Sequence, residues 1–492
     1  MHVIPKYLAS KEIKLIRDPI YNFIEVPKEF LPIIDNKLFQ RLRWVSQLPL
    51  EQLVYPSAQH SRFEHSLGTM YLSMLVAITL LNDDISKKRI YTAIQEDPNL
   101  NELPSKGKAR QTFFVIAAGI VGLLHDVGHA PFSHTLEEAT NYTRKKIEYN
   151  HEKIGYMISK QLVKEYTNKS TTDEKIRDAV ATTVLSVLNK DNKLKDLTPL
   201  QKILRTIIDS DLDVDKGDYV LRDSYHCGVK YGYYGQERLW RHVRITEDYA
   251  LGVSPKGAVE AWSLKLARYK MYKNVYKHHV RNITDALLIR ILSQAFDVLE
   301  DSELRSILPL DNSSDIDEET LLRFSFWTDN LFLKTLLEME DHRKSGADAL
   351  HAKQWIERFM KRELPKRFHS IRLERFGLVK LEKRHYIEIK KAIQSIDNEL
   401  VFIILKEVLP PVFTKDVQAG IRVVVDKQTE IPLAEYLGFS LDTLLSEYKE
   451  INVNNELDKY NEPSYFLDIF AFPNTDKQLK SKIEDKLSEV LK

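Results

Sequence analysis

An unbroken apolar run that ends in a cluster of candidate metal ligands constrains this chain more than any other feature. The run extends from Phe113 to Leu124, and three histidines and one aspartate occur within the next ten residues. A pair such as His125–Asp126 at the end of an apolar helix presents an imidazole and a carboxylate to one side, where helices hold side chains rigidly. The sequence therefore predicts a buried helix that delivers these two side chains to a metal site.

Two side chains that are remote in the sequence complete a candidate ligand set. His65 lies in the first turn of a helix predicted over 65–81, because apolar residues recur there at helical spacing. Asp215 lies in a polar motif that follows a helix predicted over 200–212. Two imidazoles and two carboxylates suit one divalent Mn, Fe, Ni, Zn or Mg ion, with positions left open for water and a phosphate oxygen. A lone histidine at a helix end more often makes a structural hydrogen bond, so the combination carries the prediction.

Composition excludes several classes of protein. With 43% hydrophobic and 29% charged residues, the chain has the composition of an ordinary globular protein. The longest apolar run is shorter than the roughly 20 residues that cross a bilayer, so we expect no membrane partner. A single cysteine, Cys227, excludes an internal disulfide and fits a cytoplasmic protein. The net charge of +1 creates no global field for nucleic acid, which we do not expect as a partner.

Hydrophobic periodicity predicts a mainly α fold with a C-terminal α+β region. We expect a core over residues 1–300 and a second region over 301–492, largely helical with a small sheet, that packs subunits together. The polar segment 82–111 is predicted to be an excursion between core helices. Further predicted elements are helices over 30–48, 151–166, 173–188 and 262–292, and strands over 14–21, 401–405 and 421–425.

Three motifs, in this order, resemble those of the HD superfamily: Arg62–Gly68, His125–His134 and Asp213–Asp223. More narrowly, they resemble its deoxynucleoside triphosphate triphosphohydrolases, over about residues 14 to 290. The resemblance implies a helical HD core and hydrolysis of a dNTP to deoxynucleoside and inorganic triphosphate, in a homo-oligomer that we expect to be a tetramer. Unlike the human member of this family, the chain is expected to have no SAM domain before the HD core. The family's metal ligands fall on His65, His125, Asp126 and Asp215.

The resemblance also assigns catalytic positions. His134 and His151 fall on the family's catalytic histidines, and Glu137 falls where the family has an aspartate beside them. A protonated histidine can donate to a leaving 5′-oxygen, since its ordinary pKa is about 6.5. A carboxylate such as Glu137 would hold the imidazole and favour its charged form. His129 is a candidate for contact with a substrate phosphate, and a structural role is the alternative.

The positions that would bind a nucleotide follow from the same resemblance. Cations at Arg62, Lys216 and Arg268 would surround the triphosphate. Positions around the deoxyribose are Gln47, Leu48, Tyr219, Asp223 and Tyr276, of which Tyr276 is the candidate that excludes a 2′-hydroxyl. Positions that bind an activating (d)GTP or dNTP between subunits are Lys14, Asp35, Gln40, Arg43, Arg238 and Lys256. However, Arg17 and Ser254 depart from the family pattern at these effector sites, so the effector's identity is not carried over.

Two other functions are compatible with the motifs. One is an HD phosphodiesterase or nuclease that acts on another phosphate ester, including single-stranded nucleic acid. The other is a nucleotide-sensing regulatory protein whose site binds but turns over slowly. The intact ligand set favours an enzyme, and the combination of Lys216, Tyr219, Asp223 and Tyr276 favours a mononucleotide pocket over an open groove.

Overall fold

The computed structural model describes residues 4–8, 12–104, 108–314, 316–338, 355–378, 380–397, 400–406, 420–438, 465–471 and 478–491. Within these ranges the chain is mainly helical. Its α-helices are α1 Leu31–Ile34, α2 Lys37–Gln40, α3 Arg62–Asn82, α4 Asp84–Glu96, α5 Ala109–Leu124, α6 His134–Ala139, α7 His151–Lys169, α8 Glu174–Leu188, α9 Pro199–Ile208, α10 Val214–His226, α11 Gln236–Trp240, α12 Ala258–Met271, α13 His279–Val298, α14 Asp301–Ile307, α15 Glu318–Phe326, α16 Asp329–Glu338, α17 Lys383–Ile396, α18 Leu433–Tyr436 and α19 Leu479–Val490.

The centre of the fold is the pair α3 and α5, which pack along each other. Helix α5 is buried on all sides from Thr112 onward, as expected of a helix whose residues are apolar all round. The two backbones approach closely at Gly122, where a Cβ atom would lie 2.7 Å from the carbonyl oxygen of Thr69. The Thr69 hydroxyl donates to the Gly122 carbonyl over 2.8 Å. This contact fixes the end of α5, and hence the His–Asp pair, against the start of α3.

Helix α3 is also long and apolar enough to cross a membrane by length and composition alone. However, 78% of its most apolar 18-residue window is buried inside the protein. That burial identifies α3 as a core helix. Its first turn is capped by Glu64, whose carboxylate accepts the backbone N–H of Ser61 over 3.2 Å.

Three small sheets accompany the helices. The strands are β1 Ile13–Asp18, β2 Asn22–Pro27, β3 Val243–Ile245, β4 Leu251–Val253, β5 Lys366–Arg372, β6 Val401–Lys406, β7 Arg422–Val424, β8 Glu430–Pro432 and β9 Tyr465–Ala471. They form a hairpin β1-β2, a sheet in the order β3-β4-β7-β8 and a sheet in the order β5-β9-β6. Only the β4–β7 pairing is parallel among the paired strands that the structure describes. The predicted mainly α class with a C-terminal α+β region is confirmed, whereas the domain boundary after residue 300 stays a prediction.

The single helix predicted over 30–48 is wrong. The segment contains α1, α2 and a short 3-10 helix at Arg41–Trp44. Asn36 is extended (ψ 138°) and its side chain accepts the N–H of Leu38 over 3.0 Å. This local cap starts a new helix in the middle of a continuous apolar stripe, which periodicity alone does not reveal.

The long helix predicted over 262–292 is also interrupted. Helix α12 ends at Met271, a π-helical turn follows at Tyr272–Tyr276, and α13 starts at His279. The break lies at His278, which is extended (ψ 135°) and whose imidazole accepts the N–H of Val280 over 3.3 Å. The excursion predicted over 82–111 contains helix α4, capped by Asp83 through the N–H of Ser86.

Candidate active site

The four side chains predicted as metal ligands lie together. His65 Nε2 is 3.0 Å from Asp215 Oδ1 and 3.6 Å from Asp126 Oδ2. His125 Nε2 is 3.3 Å from Asp126 Oδ1 and 3.4 Å from Asp215 Oδ1. Both Nε2 atoms are buried and make no hydrogen bond within the described part of the chain. Two orphaned imidazole nitrogens facing two carboxylates are the donor set that a divalent cation needs, so these residues fit a metal ion.

Helix ends position the four side chains. His65 comes from the first turn of α3, the His125–Asp126 pair follows α5, and Asp215 lies in the first turn of α10. The N-cap of α10 is Asp213, which accepts the N–H of Lys216 over 2.8 Å. Because α3 packs against both α5 and α10, the three helix ends meet at one point.

The other ring nitrogen of each histidine is fixed. His65 Nδ1 donates to Asp218 Oδ2 over 2.8 Å, and His125 Nδ1 donates to the Gly122 carbonyl over 2.9 Å. Such bonds set the tautomer and leave Nε2 free to bind a cation. Arg222 in turn holds Asp218 through two bonds of 2.8 Å and reaches Asp18 over 2.8 Å.

The charges of the site also suit a cation. Burial alone would lower the pKa of His65, but Asp215 and Asp218 raise it to about 10. Burial would raise the pKa of the Asp126 carboxyl, but His125 and Arg62 hold it well below its usual range. Asp126 and Asp215 are therefore ionised and favour positive charge between them, and a bound divalent cation would take the place of the protons on the two imidazoles.

A second group of histidines lies beside the metal ligands. His151 Nδ1 bonds to Glu137 Oε2 over 2.8 Å, and His134 Nδ1 is 3.5 Å from the same oxygen. Glutamate therefore reaches both imidazoles, although the family has the shorter aspartate at this position. The rings of His129 and His151 stack at 4.1 Å, and His129 Nε2 is 3.4 Å from Asp126 Oδ1. Nitrogens of His129, His134 and His151 lie close enough together to hold an ion as well.

The members of this second group differ in charge and exposure. Burial and the Arg62 guanidinium lower the pKa of His129 well below its usual value, so it is neutral near pH 7. The side chain of His134 is 64% exposed. Of these two histidines, only His134 is therefore open to solvent.

A strained turn precedes His134. Phe132 (φ 56°) and Ser133 (φ 52°) have left-handed backbone conformations, which are costly for residues other than glycine. Asp329, from α16, accepts the Phe132 N–H over 3.0 Å, and the buried Arg41 donates to the His129 carbonyl over 2.7 Å. Sequence reasoning missed Asp329 and Arg41, because both act through backbone atoms that are distant in the chain.

The predicted phosphate-binding cations differ in the hydrogen bonds that they already make within the protein. Arg62 is paired with Asp126 and also bonds to Ser133 Oγ over 3.1 Å. Lys216 is directed at the start of its own helix, with Nζ 2.5 Å from Asp213 Oδ2 and 2.9 Å from a backbone carbonyl. Arg268 Nε donates to the Tyr219 hydroxyl over 2.9 Å. Two of the three N–H donors of Lys216 are therefore in use, and one is left for a phosphate.

The residues predicted around the sugar are linked by hydrogen bonds and a ring contact, and we call this group the tyrosine wall. Tyr276 donates to Asp223 Oδ2 over 2.6 Å, and its ring lies 6.2 Å from that of Tyr219. His60 Nε2 donates to the other oxygen of Asp223 over 2.8 Å. The backbone N–H of Gln47 donates to the His60 carbonyl over 3.0 Å and so attaches Gln47 to the wall. The next residue, Leu48, is buried. Sequence reasoning missed His60, although it lies two residues before the first motif.

The predicted effector residues fall into separate groups. Arg43 Nε donates to Gln40 Oε1 over 2.7 Å, and Arg238 Nε donates to the Lys256 carbonyl over 3.1 Å. No hydrogen bond or ion pair joins Lys14 or Asp35 side chains to these pairs within the described residues. Within the described residues, side-chain hydrogen bonds therefore join the six positions only as Gln40–Arg43 and Arg238–Lys256.

Comparison with known proteins agrees with this geometry. The HD domain family matches residues 62–214, and the HD associated region matches residues 235–323. Uncharacterized protein MJ1154 of Methanocaldococcus jannaschii is 28% identical over 98% of this chain and 87% of its own length. Deoxynucleoside triphosphate triphosphohydrolase SAMHD1 of Homo sapiens is 26% identical over 69% of this chain, and its homolog in Dictyostelium discoideum is 27% identical over 60%. This chain spans about half the length of those two enzymes, 53% and 52%.

Solved structures show the same fold. A hypothetical protein from Aquifex aeolicus superposes with a TM-score of 0.59 at 24% identity, over 97% of this chain and 100% of that one. A phosphohydrolase from Bacteroides thetaiotaomicron superposes with a TM-score of 0.61 at 22% identity, over 93% and 99%. HD domains bind divalent metal, and His65, His125 and Asp126 of the cluster described above lie within the matched residues, with Asp215 directly after them. The chain therefore contains an HD domain at residues 62–214 and is homologous to the SAMHD1 deoxynucleoside triphosphate triphosphohydrolases.

Proposed function

We propose that this protein hydrolyses dNTPs to deoxynucleoside and inorganic triphosphate, with one divalent ion in each site. The observation that carries the proposal is the convergence of His65, His125, Asp126 and Asp215 next to the tyrosine wall. The ligand set supports phosphate-ester hydrolysis, and the wall supports a mononucleotide as the substrate. Homology to SAMHD1 is consistent with both.

The proposed chemistry divides among the residues of the cleft. A divalent ion bound by the four ligands supplies polarisation of the α-phosphate and a more acidic water. His134 donates a proton to the leaving 5′-oxygen, and Glu137 orients its imidazole. His129 stays neutral and hydrogen-bonds a phosphate oxygen, while Arg62 and Arg268 balance the charge of the triphosphate.

The proposed selectivity for deoxyribose rests on Tyr276. Its hydroxyl is tied to Asp223, and Asp223 is held from the other side by His60. A ring fixed in this way leaves little room for a 2′-hydroxyl, so ribonucleotides are excluded sterically. The 3′-hydroxyl of a deoxynucleotide would donate to Asp223.

Regulation is proposed to occur between subunits of a homotetramer. Lys256 lines a surface cavity of about 570 Å³ together with Arg241 and Arg244, a cationic lining that suits a nucleotide effector such as (d)GTP or a dNTP. The complete effector site is proposed to combine these positions from two subunits. Light scattering with and without each nucleotide measures the assembly.

One experiment separates the proposed function from its alternatives. The purified protein is incubated with each dNTP, each NTP and a single-stranded oligonucleotide, with Mn²⁺ or Mg²⁺, and products are identified by chromatography. Release of inorganic triphosphate from dNTPs alone supports the proposal. Mononucleotides released from the oligonucleotide indicate a nuclease, and a nucleotide-dependent change in mass without product indicates a sensor.

A further inference from the structure

One buried carboxylate joins three segments that are far apart in the sequence. Asp329, in the first turn of α16, accepts the backbone N–H of Ser46 at Oδ2 over 2.8 Å and that of Phe132 at Oδ1 over 3.0 Å. Burial raises the pKa of its carboxyl, and the two N–H donors and Arg62 oppose that rise. Both oxygens therefore bind backbone groups that belong to other segments.

The bond to Phe132 supports the turn that carries the proposed proton donor. Phe132 and Ser133 both have positive φ, and His134 follows directly as the first residue of α6. Backbone strain of this kind persists only where surrounding contacts hold it. Asp329 holds the turn through its backbone, and Arg62 holds it through Ser133 Oγ over 3.1 Å. The backbone that places His134 is thus fixed by side chains from distant elements.

The bond to Ser46 supports a segment that would contact the sugar. Gln47 and Leu48, two of the positions predicted around the deoxyribose, follow Ser46 directly. Ser46 also forms a β-bridge with Ser61, and the Gln47 N–H donates to the carbonyl of His60, so the segment lies along the residues that lead into α3. One carboxylate therefore ties the segment beside the sugar to the turn before the proton donor.

The neighbouring Arg41 has a complementary role. Its buried guanidinium donates to the carbonyls of Val127 and His129 over 3.1 and 2.7 Å, whereas Asp329 accepts an N–H of the same loop, at Phe132. The Asp329 carboxylate raises the pKa of Arg41 through space, and no ion-pair contact joins the two within the described residues. Each side chain therefore serves one kind of backbone group, and neither can replace the other.

We propose that Asp329 is a positioning residue for proton transfer, which sets the place of His134 relative to the segment that contacts the sugar; this inference rests on the proposed function. A general acid must lie within hydrogen-bond reach of the leaving atom, and a misplacement of about 1 Å can cost about 10²-fold in rate. Because Asp329 would act through His134, the loss of kcat on its substitution should not exceed the loss on removal of the His134 imidazole.

The first test uses single and double variants of the full-length, metal-loaded protein with a dNTP as the substrate. Asp329→Asn preserves the shape of the side chain but replaces one acceptor oxygen with an amino group. Its kcat should fall by about 10- to 100-fold, with metal content unchanged and KM altered by less than about threefold. In a His134→Ala background the same substitution should change kcat by less than about threefold, because the proton donor that Asp329 positions is already absent.

Two further variants separate the loss of an acceptor from a general structural effect. Asp329→Glu keeps both oxygens on a longer side chain and should retain more activity than Asp329→Asn. Asp317→Asn is the matched control, because the Asp317 carboxylate accepts the N–H of Thr320 over 2.7 Å at the start of α15, and it should leave kcat unchanged. Full activity of Asp329→Asn, or an equal fold-loss with and without the His134 imidazole, would overturn the inference.

Hydrogen exchange distinguishes failure of this inference from failure of the proposed function. Measured by mass spectrometry, the peptides that contain Ser46 and Phe132 should both exchange faster in Asp329→Asn than in the wild type, and unchanged in Asp317→Asn. This readout needs no substrate, so faster exchange in both peptides supports the shared anchor even if no dNTP is hydrolysed. Unchanged exchange in either peptide contradicts it. If Asp329→Asn does not fold, the same experiments on Asp329→Glu decide, because its displaced oxygens should also loosen both segments.

Discussion

Two pairs of histidines lie side by side in this protein and are held in different ways. His65 and His125 are fixed at Nδ1 by an acceptor, Asp218 or a backbone carbonyl, while Nε2 has no hydrogen bond. His134 and His151 share a single carboxylate, and His134 is largely exposed. The first pair faces two carboxylates, Asp126 and Asp215, through Nε2, and the second pair faces one carboxylate, Glu137, through Nδ1. The environment of an imidazole, more than its presence, therefore decides its chemistry.

We expect the largest effect from a substitution that disrupts the candidate metal site at the first pair. Asp215→Ala should abolish metal binding and lower turnover by about a thousandfold or more, because the carboxylate that contacts both histidines is lost. Metal content by mass spectrometry and the rate of triphosphate release measure the two effects. Asp211→Ala removes a neighbouring, more exposed carboxylate and should change neither. An Asp215→Ala protein that binds metal as the wild type does would show that the four side chains are not the ligand set.

A substitution in the second pair should lower turnover without loss of the metal. His134→Ala should retain the metal and lose about 10²- to 10⁴-fold in kcat, the range for removal of a general acid. The same metal and rate assays apply, with His369→Ala in strand β5 as a control. Full turnover in His134→Ala would refute the assignment of proton transfer to this residue.

We expect a smaller effect from Asp218, which accepts a hydrogen bond from His65 of the first pair. Asp218→Ala removes the acceptor of His65 Nδ1, so metal affinity should fall by about 10- to 100-fold. The variant also leaves the buried Arg222 with fewer partners, which should lower the free energy of unfolding by about 3–5 kcal/mol. Asp18→Ala is the matched control, because it removes the other partner of Arg222 and leaves His65 supported. Equal loss of metal affinity in both variants would contradict a role for Asp218 in orienting His65.

The smallest effect tests the shared carboxylate of the second pair. Burial would raise the pKa of Glu137, but hydrogen bonds with His134 and His151 lower it to about 2. A carboxylate whose folded-state pKa is depressed stabilises the protein above its unfolded pKa, near 4.5, and that stabilisation is lost as the pH falls towards 2. The wild type should therefore be more stable than Glu137→Gln at pH 6, and the difference should shrink below about pH 4.5. Thermal unfolding across this range measures it, and a difference independent of pH would argue against ionised Glu137.

The sequence was sufficient to predict which four side chains form the candidate ligand set. His125 and Asp126 are adjacent, His65 and Asp215 lie in recognisable polar motifs, and the long apolar periods of α3 and α5 predicted their helices. The helix breaks could not be predicted, because Asn36 and His278 cap new helices through single side-chain bonds inside continuous apolar patterns. His60, Arg41 and Asp329 were missed for a different reason. Each acts on a partner that only the tertiary fold brings near, and none belongs to a motif with a chemical signature of its own.

Helix α10 carries both halves of the cleft on one rigid segment. Asp215 in its first turn contacts His65 and His125, and Asp223, two turns later, accepts the hydroxyl of Tyr276. A shift of this helix along its axis would move both carboxylates by the same amount. Under the proposed function, a substitution that displaces the backbone of α10 would therefore alter sugar selection and hydrolysis together, whereas side chains outside that helix could change one without the other.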